Sequence, residues 1–234
     1  MTKDELKKIV AYEAVDKFVK SGQKIGLGTG STAIWAIRRV AEHLKSGKLK
    51  NILAVTTSLE TEIEAERLGI PLRSLNSNDI NGHVDVAIDG ADEVSSCLSL
   101  VKGGGAALFM EKLVAYNADK FVVVVDESKL VPSIGTGFPV PVEVVPVARA
   151  VVARRLKSMR ADFTIRVGTG KCGPVITDNG NIIFDVLFKT PVDGPDMERL
   201  INSIPGVYEN GFFSLVRPIV LVAKSDGAIE HLSD

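Results

Sequence analysis

Apolar side chains in the first half of the chain alternate between helical and strand spacing. A capping box of Thr2 and Glu5 precedes apolar positions that recur every three or four residues, which predicts a helix ending at Gly22. Further helices are predicted from about Ser31 to Gly47, from Thr57 to Gly69 and from about Gly105 to Ala118. Strand-length apolar runs lie at 24–28, 52–56, 71–75, 84–89 and 121–125. Because apolar strands that alternate with helices are covered on both faces, the pattern predicts a mostly parallel sheet of the α/β class.

The pattern changes after Lys129, where a connection rich in glycine and proline occupies 132–139. The elements predicted beyond it are a strand at 142–146, a helix at 147–159, strands at 162–167 and 181–188, a helix at 194–204 and a strand at 206–209. This β-α-β-β-α-β order resembles a split βαβ, ferredoxin-like unit. We therefore predict a Rossmann-like catalytic domain from residues 1–130 and 209–234, to whose sheet the apolar run 218–223 returns. A smaller α+β domain is predicted at 131–208.

Composition narrows the function classes. The 234 residues carry a formal net charge of −1 with both signs dispersed, which does not suggest a nucleic-acid-binding surface. The apolar runs are too short to cross a bilayer, and the charged N-terminus lacks the apolar core of a signal peptide. Cys97 and Cys172 form no zinc-like pair, and both thiols are expected to be free. These features predict a cytoplasmic protein without a membrane partner.

The glycine-rich segment GLGTGST at 26–32 follows a predicted strand and opens a predicted helix. Backbone N–H groups at such a helix start bind phosphate. A Walker loop would need a lysine that is absent. A dinucleotide loop would need glycine where Ser31 stands, and an acidic residue where Thr56 and Thr57 stand. The segment therefore favours a single phosphate monoester over a nicotinamide cofactor or a turn without a ligand.

Two carboxylates follow the apolar strand 84–89 in the segment IDGADE. Asp89 and Asp92 are expected at the carboxyl end of a parallel strand, where α/β sheets bind ligands. Such a pair binds sugar hydroxyls or Mg²⁺, or serves turn chemistry alone. Because no histidine is expected at this end of the strand, hydroxyl binding is favoured over metal binding.

The segment VKGGGAALFMEK at 101–112 combines a lysine, a glycine run and a glutamate. Consecutive N–H groups of Gly103, Gly104 and Gly105 would form an oxyanion nest, with Lys102 adding positive charge. Glu111 is expected about two turns into the following helix, where apolar neighbours suit a general base. The alternative is an ordinary exposed helical glutamate paired with Lys112 or with a residue one turn away.

Three motifs in this order resemble type A ribose-5-phosphate isomerase: GLGTGSTA, IDGADE and KGGGAAL followed by EK. PVEVVP, ITDNGN and IPGV extend the resemblance over nearly the whole chain. It implies a Rossmann-like domain with a small α+β domain, no metal or organic cofactor, and a homodimer or homotetramer to whose assembly the small domain contributes. The implied reaction interconverts D-ribose 5-phosphate and D-ribulose 5-phosphate through an enediolate in the non-oxidative pentose phosphate pathway.

The family's site residues map onto matching positions of this chain. The resemblance implies phosphate binding by Thr29, Gly30, Ser31 and Thr32, and sugar binding by Asp89, Gly90, Ala91 and Asp92. It implies an oxyanion site at Lys102, Gly103, Gly104 and Gly105, the general base at Glu111, and further ligand contacts at Lys129 and Lys7. The chain departs from the family pattern at Phe109 and Met110, where many members carry polar or basic residues.

Two other functions fit parts of the pattern. A glucosamine-6-phosphate deaminase-like enzyme would use a similar phosphate loop, but would need a catalytic histidine that the sequence does not place at the site. A non-catalytic sugar-phosphate sensor would need no base such as Glu111, and the chain has no DNA-binding segment.

Overall fold

The alternation of helices and strands is present in the computed structural model, which describes residues 1–233. In chain order the elements are α1 (Lys3–Phe18), β1 (Lys24–Leu27), α2 (Ala33–Ser46), β2 (Leu53–Thr56), α3 (Leu59–Arg67), β3 (Val84–Asp89), β4 (Glu93–Ser95), β5 (Leu100–Val101), α4 (Leu108–Ala115), β6 (Ala118–Asp126), β7 (Leu130–Val131), β8 (Val140–Val144), α5 (Arg149–Ser158), β9 (Ala161–Ile165), β10 (Ile182–Phe188), α6 (Gly194–Asn202), β11 (Val207–Asn210), β12 (Phe212–Phe213), β13 (Ile219–Ala223) and β14 (Ile229–Leu232). The predicted α/β class is confirmed.

The chain divides into two compact units. The first contains Met1–Gly90, Met110–Lys129 and the residues from Val216 onward, and the second contains Ala91–Phe109 and Leu130–Leu215. The second unit therefore includes the segment Ala91–Phe109, which the sequence pattern had placed with the first. The reason is strand pairing, because β4 pairs with β5 and β7, and β5 pairs with β12.

The first unit is built on a sheet of order β14-β13-β6-β3-β1-β2. Its neighbouring strands are parallel except for the β13–β14 pair. Strand β13 pairs along β6 with Val220 beside Val123, which confirms that the apolar run 218–223 returns to this sheet. Helices α1 and α2 contribute fully buried residues such as Val10 and Val40 to its core. The predicted strand at 71–75 is reduced to a single bridge between Leu72 and Ala54.

The second unit contains an antiparallel sheet of order β11-β8-β10-β9. With helices α5 and α6 between its strands, it has the connectivity predicted for a ferredoxin-like unit. Alternate residues of β8 pack with the apolar faces of α5 and α6, as the burial of Val142, Val152 and Ile201 shows.

None of the helices within residues 1–233 is long and apolar enough to cross a membrane. Cys97 and Cys172 are both free thiols, as predicted.

An ion cluster joins α1 to α2 in the first unit. Asp16 accepts hydrogen bonds from Arg39 Nε at 3.0 Å and Nη2 at 2.6 Å, and its carboxylate also contacts the buried His43 ring. Lys48 Nζ lies 3.5 Å from the same carboxylate. The Arg39 guanidinium holds the pKa of Asp16 well below its usual range. The ionised Asp16 therefore stabilises the folded state more than the unfolded chain.

Replacing Asp16 with Asn should lower the free energy of unfolding at pH 7 by about 1–3 kcal/mol, since charge-assisted hydrogen bonds are lost. The native pKa of Asp16 is depressed, so its stabilisation is complete above the unfolded value of about 3.9 and is lost as pH falls through the native pKa. The difference between the parent and the variant should therefore shrink below about pH 4. Urea unfolding at pH values from 7 to 3 measures it.

Asp79→Asn is the matched control, because it removes the exposed pair between Arg73 and Asp79. It should change the free energy of unfolding by less than about 0.5 kcal/mol at every pH. A destabilisation by Asp16→Asn that stays constant down to pH 3 would contradict the role of the Asp16 charge.

Candidate active site

The predicted phosphate loop connects β1 to α2 in the first unit. Gly30 has φ +101°, a conformation that glycine adopts without steric cost, and it turns the chain into the helix. Thr32 is the N-cap residue of α2, and its side chain makes no capping hydrogen bond. The Ile34 and Trp35 N–H groups donate to the Gly30 and Thr32 carbonyls, so the donors suited to an anion are the N–H groups that precede Ile34.

A cluster of hydroxyl groups supports this loop and was not predicted from the sequence. Thr29 Oγ1 donates to Ser58 Oγ at 2.8 Å, and Ser58 Oγ donates to Thr61 Oγ1 at 3.1 Å. Thr61 Oγ1 donates to the Gly28 carbonyl at 2.9 Å, and Thr57 Oγ1 lies 2.7 Å from Thr29 Oγ1. The signal for this cluster was a Thr-Thr-Ser run at the carboxyl end of β2, the neighbour of β1.

Asp89 is the last residue of β3, and it is only 3% exposed. Its Oδ1 accepts the N–H groups of Thr29 at 3.1 Å and of Gly90 at 2.8 Å. A Cβ on Gly28 would lie 2.2 Å from Asp89 Cγ, so only glycine allows this approach. Asp89 therefore fixes the start of the phosphate loop as well as being a candidate substrate ligand.

Glu111 lies in the first turn of α4 and is 5% exposed. The prediction of a helix beginning near Gly105, with Glu111 two turns inside it, is wrong. Ala106 has φ +62° and its N–H donates to the Gly103 carbonyl, which forms a turn and delays the helix start to Leu108. Because Glu111 is buried, the alternative prediction of an ordinary exposed helical glutamate is excluded.

A small pocket in the first unit is shared by the two candidate catalytic carboxylates. Asp89 and Glu111 both line it, together with Gly26, Gly28 and the apolar side chains of Val114 and Phe121. A Cβ on Gly26 would lie 2.4 Å from Val114 Cγ1, so this glycine lets α4 approach β1 closely. Of the three glycines that predicted a phosphate loop, Gly26 and Gly28 permit close packing and only Gly30 forms the turn.

The second unit carries the lysine and the glycine run. Lys102 is 2% exposed, and its ammonium lies 5.4 Å from the centre of the Phe213 ring. Gly103 has φ +94°, and the N–H of Gly104 donates to Asp92 Oδ2 at 2.8 Å. Asp92 is therefore held against the glycine run within one unit.

The third carboxylate of IDGADE has a structural role. Glu93 is 3% exposed and accepts the N–H groups of Gly135 at 2.7 Å and of Phe138 at 2.6 Å. It anchors the glycine- and proline-rich connection at 132–139 to β4.

Lys129 ends a short 3₁₀ turn, Glu127–Lys129, that directly follows β6. Asp126, the last residue of β6, is 7% exposed and was not singled out from the sequence. Burial opposes its ionisation, but hydrogen bonds from the Ser128 hydroxyl and N–H lower the pKa of Asp126 overall. Asp126 thus places a further carboxylate at the carboxyl end of the parallel sheet. Lys7, the other lysine predicted to contact the ligand, lies on α1, and its Nζ is 3.7 Å from Asp4 Oδ1.

Phe109, one of the two residues that depart from the family pattern, packs against another aromatic side chain. The Phe109 ring lies 4.6 Å from the Tyr208 ring at an interplanar angle of 51°, a tilted arrangement that aromatic pairs favour. Phe109 thus makes an aromatic contact within the second unit, at a position where the family resemblance implies a polar or basic side chain in many members.

Comparisons with known proteins agree with the motifs. The family model for ribose 5-phosphate isomerase A (phosphoriboisomerase A) matches residues 53–227. Ribose-5-phosphate isomerase A of Treponema denticola is 49% identical over 99% of this chain and 100% of that protein. The protein from Pyrococcus horikoshii of the same name is 46% identical over 97% of each chain.

Solved structures of the same name superpose over the full length. Ribose 5-phosphate isomerase A from Methanocaldococcus jannaschii gives a TM-score of 0.93 at 46% identity, covering 100% of both chains. A D-ribose-5-phosphate isomerase in complex with phospho-erythronic acid gives a TM-score of 0.95 at 45% identity, again over 100% of both chains. The chain therefore belongs to the ribose 5-phosphate isomerase A family, and it is an aldose–ketose isomerase.

Proposed function

We propose that this chain interconverts D-ribose 5-phosphate and D-ribulose 5-phosphate, with Glu111 as the base that moves the proton between C2 and C1. The observation that carries the proposal is the burial of the Glu111 carboxylate, which is 5% exposed and lines the same pocket as Asp89. A buried carboxylate is suited to proton transfer, because water does not compete for the proton. Family membership supports the substrate.

The reaction needs one proton acceptor and a site for developing negative charge. Glu111 takes the proton from C2 of the open-chain aldose, and the electron pair moves into the C1–C2 bond while the carbonyl oxygen becomes the enediolate oxygen. Transfer of the hydroxyl proton from O2 to O1, and return of the carbon-bound proton from Glu111 to C1, then give the ketose. Lys102 and the N–H groups of Gly103, Gly104 and Gly105 are the donors proposed to stabilise the enediolate, each key donor contributing about 3–4 kcal/mol.

The phosphate group is proposed to bind at Thr29, Gly30, Ser31 and Thr32, with Lys7 and Lys129 adding positive charge. Binding energy from this remote group positions C1 and C2 for proton transfer. The support is the donor-rich start of α2 and the absence of a capping bond from Thr32.

The sugar hydroxyls are proposed to bind Asp89 and Asp92, with Gly90 and Ala91 forming the turn between them. Asp89 moves the ring-oxygen proton during ring opening, and Asp92 orients hydroxyl groups. The complex of a homologue with phospho-erythronic acid supports a ligand of this class. We infer that this chain binds the same compound, whose carboxylate resembles the enediolate oxygens.

The cytoplasmic location and the homodimeric or homotetrameric assembly through the small domain remain predictions from the sequence. Sedimentation velocity distinguishes the monomer, the dimer and the tetramer directly.

Replacing Glu111 with Gln should lower kcat by about 10³-fold, because the amide cannot accept the proton. The dissociation constant for a phosphorylated sugar acid should change little, since the phosphate loop is intact. Steady-state kinetics with ribose 5-phosphate and calorimetric titration with the acid measure the two effects. Turnover close to that of the parent would remove Glu111 as the base.

Thr32→Ala serves as the contrasting variant, because Thr32 lies at the phosphate end rather than at the reacting carbons. It should raise KM by about 3- to 10-fold, as expected for one hydrogen bond to a charged group, and leave kcat within about twofold. A fall in kcat without a change in KM would contradict the phosphate assignment.

Replacing Gly28 with Ala should reduce kcat/KM by at least about tenfold, because the new methyl group would displace the Asp89 carboxylate. Gly168→Ala is the control, since its Cβ would meet Val175 at an ordinary 3.6 Å. Equal activity of both variants would show that the position of Asp89 does not limit the reaction.

Activity should survive exhaustive dialysis against a chelator. Within residues 1–233, no group of three or more His, Cys, Asp or Glu side chains is placed to hold a metal ion. Ribose 5-phosphate turnover is measured before dialysis, after it, and after Mg²⁺ addition. Loss of activity that Mg²⁺ restores would assign a metal to the Asp89 and Asp92 carboxylates instead of sugar hydroxyls.

A further inference from the structure

Arg166 contacts the glycine run although it lies about sixty residues further along the chain. Its Nη1 donates to the Gly104 carbonyl at 2.9 Å and to the Gly103 carbonyl at 3.3 Å. The remaining edge of the guanidinium binds Asp185 of β10, with Nε–Oδ2 at 2.9 Å and Nη2–Oδ1 at 2.5 Å. The two side chains are 17% and 20% exposed. All of these residues belong to the second unit.

The sheet fixes the base of this side chain. The Arg166 N–H donates to the Ile183 carbonyl, and the Arg166 carbonyl accepts the Val175 N–H, both at 2.9 Å. Asp185 pairs with Thr164, two residues before Arg166. A bidentate pair between arginine and a carboxylate fixes the plane of the guanidinium, which a single lysine contact does not.

The two carbonyls that Arg166 binds determine where two N–H groups point. The Gly103 carbonyl shares a peptide plane with the Gly104 N–H, and the Gly104 carbonyl shares one with the Gly105 N–H. In a trans peptide the N–H and C=O bonds point in opposite directions. Binding both carbonyls from one side therefore directs both N–H groups to the other side. The Gly104 N–H is indeed directed away, toward Asp92 Oδ2 at 2.8 Å.

The glycine run needs such a constraint. Glycine has more accessible backbone conformations than any other residue, so three in succession do not hold an oxyanion nest by themselves. A donor stabilises a transition state fully only if it is oriented before the charge develops. A hydrogen bond to each carbonyl also polarises its peptide group and strengthens the N–H as a donor.

We propose that Arg166, oriented by Asp185, is a positioning residue that preorganises the Gly104 and Gly105 N–H groups for the enediolate oxygen. This inference rests on the proposed role of the glycine run in the isomerase reaction. Arg166 acts through the peptide groups and not on the substrate, so its removal affects binding of the anionic intermediate more than binding of the neutral sugar.

The test compares two ligands that share a phosphate and differ at the reacting end. One is a phosphorylated sugar acid, whose carboxylate mimics the enediolate, and the other is the polyol phosphate of the same chain length, which has no such anion. Two variants are compared with the parent. Arg166→Lys keeps the positive charge but loses the planar guanidinium group, and Asp185→Asn keeps the side-chain size but weakens the bidentate pair with Arg166. Lys189→Met is the control, because Lys189 pairs with Asp162 beside the same two strands and is 66% exposed.

Arg166→Lys is expected to lower kcat by about 10- to 100-fold with KM within about threefold, somewhat less than direct loss of an oxyanion donor. The sugar acid should bind about tenfold or more weakly, while the polyol phosphate binds as in the parent. Asp185→Asn should show the same selective pattern to a smaller extent, and Lys189→Met should match the parent. In Arg166→Ala, millimolar guanidinium chloride should restore part of kcat, with no effect on the parent enzyme.

The proposal is overturned if Arg166→Lys weakens the binding of both ligands equally, or if an equal loss of affinity accompanies a fall in the free energy of unfolding. Either result would mean that Arg166 only stabilises the fold. If Arg166→Lys does not fold, Asp185→Asn provides the test. A ratio of the two ligand affinities that is the same in Asp185→Asn as in the parent overturns the proposal. Failure of the parent protein to isomerise ribose 5-phosphate would overturn the proposed function itself. Normal parent turnover with unselective variants overturns the positioning role alone.

Discussion

The contact between the buried Asp89 carboxylate and the loop that follows β1 is the constraint on which the rest of the first unit's site depends. Asp89 Oδ1 receives the Thr29 N–H, and this is possible only because Gly28 has no side chain to separate the two strands' ends. The contact sets the entry of the chain into α2, and with it the direction of the N–H groups offered to a phosphate. The same carboxylate borders the pocket that Glu111 lines. One buried group therefore connects the proposed phosphate binding with the proposed proton transfer.

Glycine serves different physical needs at different positions of the two motifs. Gly26 and Gly28 stand where a neighbouring group comes too close for a Cβ, whereas Gly30 and Gly103 stand where the backbone adopts a positive φ. Gly104 is hydrogen-bonded on both sides of its backbone, because its N–H donates to Asp92 and its carbonyl accepts from Arg166. In both motifs, surrounding groups therefore supply the conformational constraint that glycine itself lacks.

The acidic side chains of the segment IDGADE accept hydrogen bonds from backbone N–H groups. Asp89 and Glu93 each accept two such donors, and the Asp92 carboxylate accepts one. A buried carboxylate without donors would cost several kcal/mol, so these bonds explain how the segment IDGADE tolerates the burial of Asp89 and Glu93. Asp89 and Asp92 lie in two different units, although only two residues separate them in the chain.

The sequence by itself determined the α/β class, the ferredoxin-like connectivity and the segments proposed to carry the chemistry. Those features depend on local periodicity and on motifs that follow the carboxyl ends of parallel strands. Tertiary structure alone decided that Glu111 lies in the first turn of its helix, since the turn at Ala106 delays that helix. It also brought Thr57 to Thr29 and Arg166 to Gly104, which are 28 and 62 residues apart. Hydrogen bonds across such separations leave no periodic trace in a single sequence, because they depend on where strands and loops meet after folding.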